Sequence, residues 1–358
     1  MAPKTVLVTG ANGYIGNAVA RAFTREGWTT YGLIRTSSSA QSLKLDEIIP
    51  VIGSIDSPDQ HGAILSQLPA DFKIDAIIST TEVVTDYIPH YNNILDLLRS
   101  IAEKVIKNGH PRPTLIFTSG CKDYGLKPHV HGTPNMTPHT EDSPVDAPAL
   151  LRNRSIYSSK VLQLTDLFVP VLVRPTNVYG RTSSYFYGFF DGAKKAREAS
   201  EPLIVPVDGN FVVHSLHVDD CGEAYVAIAS HEKREEIEGQ VFNMSAHRYE
   251  TVDEVMLALV QEYGITNKSG SAVQHVAPEE LPDGSPWPPL LIDFPQWIDS
   301  SKLRHLTGWT DKRPLFSEGL KTYRMSYDAT QVSAESGDEL TKRMYERMQE
   351  LTTAVKKQ

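Results

Sequence analysis

The feature that most constrains the fold is a glycine-rich segment near the N-terminus, Thr9–Gly16. An apolar, β-branched run (Thr5–Val8) precedes it, and a segment with helical spacing (Gly16–Arg25) follows it. Between a strand and a helix, glycines permit a tight turn, close approach of the backbone to a diphosphate, and close helix–strand packing. The segment therefore predicts a phosphate-binding loop whose contact residues are Gly10, Asn12, Gly13, Tyr14, Ile15 and Gly16.

Strand-like and helical segments alternate through the first half of the chain, which predicts βαβ units and a parallel sheet. The fold class is therefore α/β, a Rossmann doubly wound parallel sheet with a smaller C-terminal substrate-binding lobe. We expect the Rossmann domain to span 1–180 and about 210–245, the lobe about 181–209 and 246–328, and a helical tail 329–358. The predicted strands after Thr5–Val8 are Thr29–Ile34, Val51–Ile55, Ala76–Ser79, Thr114–Thr118 and Pro170–Val173, and the main helices are His61–Gln67, Tyr91–Lys107, Ser155–Leu167, Val252–Tyr263 and Leu315–Tyr327.

Composition narrows the class of protein. The net charge of −9 gives no basic footprint for nucleic acid, and two cysteines in 358 residues make no disulfide framework. No apolar run reaches the roughly 20 residues that span a bilayer. A cytoplasmic enzyme that acts on a small molecule, without a membrane or nucleic-acid partner, is the expectation.

Several motifs together resemble the extended short-chain dehydrogenase/reductase family, in its NAD-dependent epimerase/dehydratase branch. Besides Thr9–Gly16, they are Gly53-Ser54-Ile55, Phe117–Gly120 with Tyr124-Gly125, Val173–Pro175 with Val178–Gly180, and His217–Asp220. The resemblance covers most of residues 4–325. It implies the Rossmann fold, and it allows a homodimer, because family members often pair through helices that match Tyr91–Lys107 and Ser155–Leu167.

The end of the second predicted strand bears on the choice of cofactor. NAD-specific Rossmann proteins place an acidic residue there to hold the ribose 2′-hydroxyl. Here Arg35 is followed by Thr36 and Ser37, and a guanidinium can pair with a 2′-phosphate. NADP(H) is therefore favoured over NAD(H). Alternatively, Arg35 is a solvated charge or stacks on adenine in an NAD enzyme.

The resemblance implies further cofactor contacts at strand ends. Ser54 replaces the family's adenine-contacting Asp, and Ile55 can still pack on the ring. Small residues at the end of the fourth strand allow a ligand to approach the backbone. The remaining contacts predicted in this way are Ser79, Thr80, Thr81, Lys160, Pro175, Asn177 and Val178.

The predicted catalytic centre departs from the family pattern, which pairs a Tyr with a Lys four residues later and adds a Ser or Thr at a strand end. The nearest match has Tyr157 only three residues before Lys160, and Gly120 stands where the family has Ser or Thr. We expect Tyr157 to donate the proton, Lys160 to anchor the ribose, and Ser119 to polarise the substrate oxygen. Alternatively, Tyr157 is a packing residue near the helix start, and Lys160 is a ribose ligand or a surface charge. These departures resemble an atypical subgroup of the family.

The substrate is expected to be small and hydrophobic. Nucleotide-sugar members carry an Arg where this chain has Val213, while Arg181–Phe190 and Val276–Trp297 offer aromatic side chains for a pocket. Alternatively, half of these aromatic residues belong to the core. His129, His131 and His139 lie in a Pro-rich loop without the spacing of metal ligands, so no metal site is expected.

The leading functional hypothesis is an NADP(H)-dependent oxidoreductase that reduces a carbonyl or conjugated group on a small hydrophobic metabolite. A second hypothesis keeps the fold but drops net redox chemistry, as in an isomerase, dehydratase or cyclase. A third is a binding protein that senses NADP(H). The absence of the standard Tyr and Ser favours this third reading, and the aromatic-rich second half argues against it.

Overall fold

A computed structural model describes residues 3–182, 186–266, 270–277, 280 and 294–335, with the backbone alone for 332–335. Seven strands form one parallel sheet, in the order β3-β2-β1-β4-β5-β6-β11. The strands are β1 (Thr5–Thr9), β2 (Thr29–Ile34), β3 (Ile49–Ile52), β4 (Ala76–Ser79), β5 (Thr114–Thr118), β6 (Val169–Pro175), β7 (Asn177–Tyr179), β8 (Leu203–Val205), β9 (Val212–Val213), β10 (Ser215–His217), β11 (Gln240–Met244), β12 (Glu250–Thr251) and β13 (Val273–His275).

Helices cover both faces of this sheet. The α-helices are α1 (Tyr14–Arg25), α2 (Ala40–Leu45), α3 (His61–Ser66), α4 (Tyr87–Lys107), α5 (Arg152–Ser159), α6 (Tyr187–Ala199), α7 (Val218–Ser230), α8 (Arg234–Ile237), α9 (Val252–Tyr263), α10 (Ser301–Thr307) and α11 (Leu320–Glu335). Successive side chains of a strand point to opposite faces. Accordingly, Val6 and Val8 pack with α1 and α7, whereas Leu7 packs with α3 and α4 on the other side. The predicted Rossmann sheet is confirmed.

A third hydrophobic cluster lies between α6, α9 and α11. It takes up most of the aromatic residues that the sequence offered to a pocket: Phe186, Tyr187, Phe189 and Phe190 are at most 3% exposed. Their ring contacts are with one another and with residues such as Phe316 and Tyr327. These four side chains are core residues, and their predicted place in the pocket is wrong. Tyr185 and Trp287 lie outside the described residues.

The order of the strands places a crevice beside β1. β1 pairs with β2 on one side and with β4 on the other, so the chain reverses its direction of travel across the sheet at this point. Ligands of open α/β sheets bind outside the carboxyl ends of the strands at such a reversal. The segments that leave β1, β2, β4, β5 and β6 all meet at that edge.

The helix boundaries differ modestly from those predicted. α4 begins four residues before the predicted Tyr91, and the predicted Ser155–Leu167 helix is instead α5 followed by a 3₁₀ turn, Lys160–Gln163. The predicted tail 329–358 continues α11 as far as Glu335, and its remainder lies outside the described residues. In the described part of the chain, no helix is long and apolar enough to cross a membrane.

Packing of α1 on α7 depends on Gly222. A Cβ at this position would lie 2.7 Å from the carbonyl oxygen of Ala18. We therefore expect Gly222→Ala to lower the free energy of unfolding by about 1–3 kcal/mol, although alanine has the higher helix propensity. Gly62→Ala is the matched control, because Gly62 is also helical and has open space around it. Urea unfolding of both variants checks this, and equal stability of the two would contradict it.

Candidate dinucleotide-binding cleft

The glycine loop has the geometry that an anion requires. Gly10 has φ +69°, which favours glycine, and a Cβ at Gly16 would overlap the carbonyl oxygen of Gly10. Helix α1 begins directly after Gly13, has no side-chain cap, and carries no acidic residue in its first turn. Its N-terminus therefore presents the positive end of the helix dipole without a competing carboxylate, which fits a diphosphate.

A cavity of about 520 Å³ opens along the carboxyl edge of the sheet. In the sheet, β2 and β3 lie on one side of β1, and β5 and β6 lie on the other, with about 4.8 Å between neighbouring strands. Residues after β2 and β3 therefore lie at one end of the cavity, and residues after β5 and β6 lie at the other. We call these the β2 end (Arg35, Ile55, Asp56) and the α5 end (Ser119, Gly120, Arg154, Val213, Phe294). Of the predicted cofactor contacts, the lining includes Gly10, Asn12, Gly13, Tyr14, Ile15, Gly16, Arg35, Ile55, Thr80, Thr81, Pro175, Asn177 and Val178.

Three predicted cofactor contacts, Ser54, Ser79 and Lys160, do not line this cavity. Ser79 is 1% exposed inside the sheet, and its hydroxyl has no hydrogen-bond partner among the described residues. The backbone N–H of Ser54 donates to Oε1 of Gln60 (3.1 Å), and the carboxylate that reaches the cavity belongs to Asp56, two residues later. The structure therefore places Asp56, which the sequence reasoning missed, at the predicted adenine-binding segment.

On α5 the side chains that face the cavity are not the predicted pair. Arg154 lines the cavity, and Ser158, one helical turn later, hydrogen-bonds to Ser119 (3.2 Å). The Tyr157 ring instead packs edge-on against Tyr91, with 5.4 Å between centroids, and the exposed Lys160 lies over that ring. Around the helix axis, Ser158 is rotated from Arg154 by about 40° in one direction and Tyr157 by about 60° in the other, so these two side chains face different sides.

This rotation is incompatible with the predicted roles of Tyr157 and Lys160 as proton donor and ribose anchor, because neither side chain lines the cavity. Tyr14 is the only tyrosine among the described lining residues, and its hydroxyl donates to the carbonyl oxygen of Gly180 (2.5 Å). At the α5 end, therefore, no described tyrosine is placed to donate a proton to a ligand.

Ser119 lies in the cavity as predicted, but its hydroxyl proton is engaged. Its Oγ donates to Oδ2 of Asp123 (2.5 Å) and accepts a hydrogen bond from Ser158. A hydroxyl carries one proton, so in this arrangement Ser119 cannot also donate to a substrate oxygen. The predicted role as carbonyl polariser therefore does not fit the observed hydrogen bonds.

The α5 end is organised instead by a buried carboxylate, Asp123, which the sequence reasoning did not single out. Asp123 is fully buried and accepts from Nε and Nη2 of Arg154 (3.2 and 2.8 Å), while Nε of Arg174 lies 3.4 Å away. Nη1 of Arg154 donates to Glu82 (3.3 Å). Burial alone lowers the pKa of the Arg154 guanidinium, but the carboxylates of Asp123 and Glu82 outweigh it and raise that pKa. Arg154 therefore remains a cation that cannot release a proton.

Other lining side chains are fixed by hydrogen bonds. His90 pairs with Asp56 (2.7 Å) and Thr81 (3.2 Å). His214 accepts from the backbone N–H of Ile298 at Nδ1, so Nε2 carries the proton shared with the Ala246 carbonyl (3.1 Å for each). Burial lowers the pKa of His214 to about 4. His214 is therefore neutral at pH 7.

The apolar wall of the α5 end comes from Val212, Val213 and Phe294, with Lys122 lying 4.0 Å above the Phe294 ring. Trp297, also offered by the sequence for a pocket, packs on Tyr249 instead. The three histidines of the Pro-rich loop lie among other side chains. The rings of His129 and His139 pack edge-on with 4.8 Å between their centroids, and Nδ1 of His131 forms a hydrogen bond with the Tyr249 hydroxyl.

A family model for the NAD dependent epimerase/dehydratase family matches residues 6–245. The chain belongs to this family. The match confirms the predicted family resemblance, and the solved structures described next confirm the fold. The members of this family are enzymes. A search of curated proteins found no significant match.

Solved structures of the same fold cover nearly all of the chain. dTDP-glucose 4,6-dehydratase from Bacillus anthracis, in complex with NAD, is 20% identical, has a TM-score of 0.66, and covers 92% of this chain and 97% of its own. UDP-glucose 4-epimerase from Thermotoga maritima, with UDP-glucose, is 18% identical, has a TM-score of 0.65, and covers 91% of this chain and 99% of its own. A short-chain dehydrogenase/reductase superfamily protein from Agrobacterium tumefaciens, with bound NAD, is 15% identical, has a TM-score of 0.63, and covers 93% of this chain and 99% of its own. At these identities the likeness establishes the fold.

Neutral His214 makes stability depend on pH. Its folded pKa of about 4 lies below the ordinary value of 6.5, so the unfolded chain binds the additional proton between these two values. Its contribution to stability is therefore complete above pH 6.5 and is lost as the pH falls towards 4. Its size is on the order of 3 kcal/mol. We expect His214→Gln to show a shallower fall in unfolding free energy over this range than the wild type.

Urea unfolding at a series of pH values measures the difference. His305→Gln, at an exposed position on α10, controls for loss of an imidazole. Parallel curves for the wild type and His214→Gln would contradict the assignment.

Proposed function

We propose that this chain is an NADP(H)-dependent oxidoreductase that reduces a carbonyl or conjugated group on a small hydrophobic molecule. The observation that carries the proposal is the continuity of the cleft, which runs from Arg35 at the β2 end, past the anion-binding loop, to the apolar wall of the α5 end. When bound, the nicotinamide ring supplies or accepts a hydride.

The residues present fit a dinucleotide. The α1 N-terminus would hold the diphosphate, Ile55 the adenine ring, and the strand ends at Thr80 and Pro175–Val178 the remainder. The Thr80 hydroxyl is already fixed on the carbonyl of Thr9 (2.6 Å), so this wall needs no rearrangement.

The preference for NADP(H) rests on the end of β2. Arg35 is exposed, lines the cavity, and is followed by Thr36, which also lines it. Thr36 Oγ1 and Ser38 Oγ lie 2.9 Å apart, so two hydroxyls accompany the guanidinium. Arginine binds a phosphate through charge-assisted hydrogen bonds, whereas an acidic residue at this position would repel it. By contrast, two of the three similar structures described above contain NAD rather than NADP.

The nature of the substrate rests on the α5 end. Val213 stands where nucleotide-sugar members carry an arginine, and with Val212 and Phe294 it forms an apolar wall. A sugar-nucleotide substrate, like that of the similar UDP-glucose 4-epimerase, therefore has less support here than a small hydrophobic substrate. We place the substrate between this wall and the lobe built on α6, α9 and α11. A homodimer and a cytoplasmic location remain predictions from the sequence.

One observation favours a second candidate function. No described tyrosine at the α5 end can donate a proton, so an isomerase, dehydratase or cyclase without net redox, or a protein that senses NADP(H), is the alternative. Formation of product without loss of reduced cofactor would identify the first of these. Tight binding of NADPH without turnover on a panel of aldehydes, ketones and enones would identify the second.

The cofactor preference gives a direct test. We expect Arg35→Ala to weaken NADPH binding about ten- to hundredfold and to leave NADH binding nearly unchanged, because the mutation removes only bonds to the 2′-phosphate. Lys160→Met is the control, since Lys160 lies outside the cavity. Fluorescence titration measures the affinities for NADPH and NADH of the wild type and of each variant. Tighter binding of NADH by the wild type, or loss of NADPH binding in Lys160→Met, would contradict this arrangement.

A further inference from the structure

We propose that Arg154 binds a planar oxyanion carried by the substrate, such as a carboxylate, beside the group that is reduced. The inference rests on the proposed function, because it assigns a ligand to the α5 end of the same cleft. Arg154 lies on the cavity wall, on the helix face where the sequence predicted a tyrosine.

The guanidinium has donors to spare. Its side chain is 10% exposed. It carries five N–H groups, of which three are used, by Asp123 through Nε and Nη2 and by Glu82 through Nη1. One N–H on each terminal nitrogen is left without a hydrogen bond among the described residues. Two N–H groups on neighbouring nitrogens suit the two lone pairs of a planar oxyanion.

Space for such a ligand exists because residue 120 has no side chain. A Cβ at Gly120 would lie 3.4 Å from both Nη1 and Nη2 of Arg154. Gly120 has extended backbone (φ −172°, ψ 156°), which any residue can adopt, so the backbone conformation does not require glycine here. The missing side chain instead leaves the face of the guanidinium beside Gly120 uncovered, and Arg154 lines the cavity.

Arg154 would bind and orient the oxyanion, but it would not protonate it. The carboxylates of Asp123 and Glu82 raise the pKa of its guanidinium, so it stays charged. The family's tyrosine is expected to donate a proton. This site therefore suits a ligand whose negative charge persists while it is bound.

The test compares benzoate with benzamide, its neutral isostere, by calorimetric titration of the protein saturated with NADP⁺. We expect the wild type to bind benzoate at least tenfold more tightly than benzamide. Gly120→Ala should reduce this preference to threefold or less, because its methyl group occupies the space beside the guanidinium, and Gly62→Ala should retain it. Arg154→Lys keeps the positive charge but removes the paired N–H groups of the guanidinium, so it should weaken benzoate binding about tenfold.

The outcomes separate the two proposals. Failure to bind NADP⁺ in the first place would overturn the proposed function. Normal NADP⁺ binding with equal affinity for benzoate and benzamide, or with neither ligand bound, would overturn the role of Arg154 alone. Unchanged benzoate preference in Gly120→Ala, with NADP⁺ binding intact, would overturn the role of the open space at Gly120 and with it this inference.

Discussion

The close approach of α1 to the end of β1 is the constraint on which the rest of the structure depends. Because Gly16 has no side chain, the first turn of α1 can rest against the carbonyl of Gly10. This contact aims the N-terminus of the helix at the crevice where the strand order reverses. The segments that follow β2, β4, β5 and β6 then meet around the same crevice, and every proposed contact with a cofactor follows from that convergence.

A second constraint acts at the other end of the cleft. Asp123 is fully buried, and a buried carboxylate is tolerated only when it is paired and hydrogen-bonded. Arg154, Arg174 and Ser119 supply these partners. Meeting that requirement consumes the Ser119 proton and fixes Arg154 on the cavity wall. The demands of one buried charge therefore account for the departure of this site from the Tyr, Lys and Ser arrangement that the family resemblance implied.

The sequence predicted the parts of this structure that depend on local pattern. β-branched runs and helical spacing located the strands of the sheet, with α9 and β2 correct to the residue, and the glycine loop located the cleft in which we propose that a cofactor binds. The orientation of α5 could not be obtained in this way. Tyr157 and Lys160 are separated by three residues, and only the rotation of the helix decides which face meets the cavity. Arg154 and Ser158 have the i, i+4 spacing that could have revealed the alternative pair, and Asp123 after a buried strand signalled the need for a basic partner.

Binding of NADP⁺ observed by phosphorus NMR tests the central claim most directly, because the diphosphate and the 2′-phosphate report separately on the α1 loop and on Arg35. The account predicts that the resonances of all three phosphates shift when the wild-type protein is added, and that none shifts with Gly16→Ala. Unshifted resonances with the wild type would contradict dinucleotide binding in this cleft. A shift of the diphosphate with a 2′-phosphate resonance that stays at its free position would contradict the contact with Arg35.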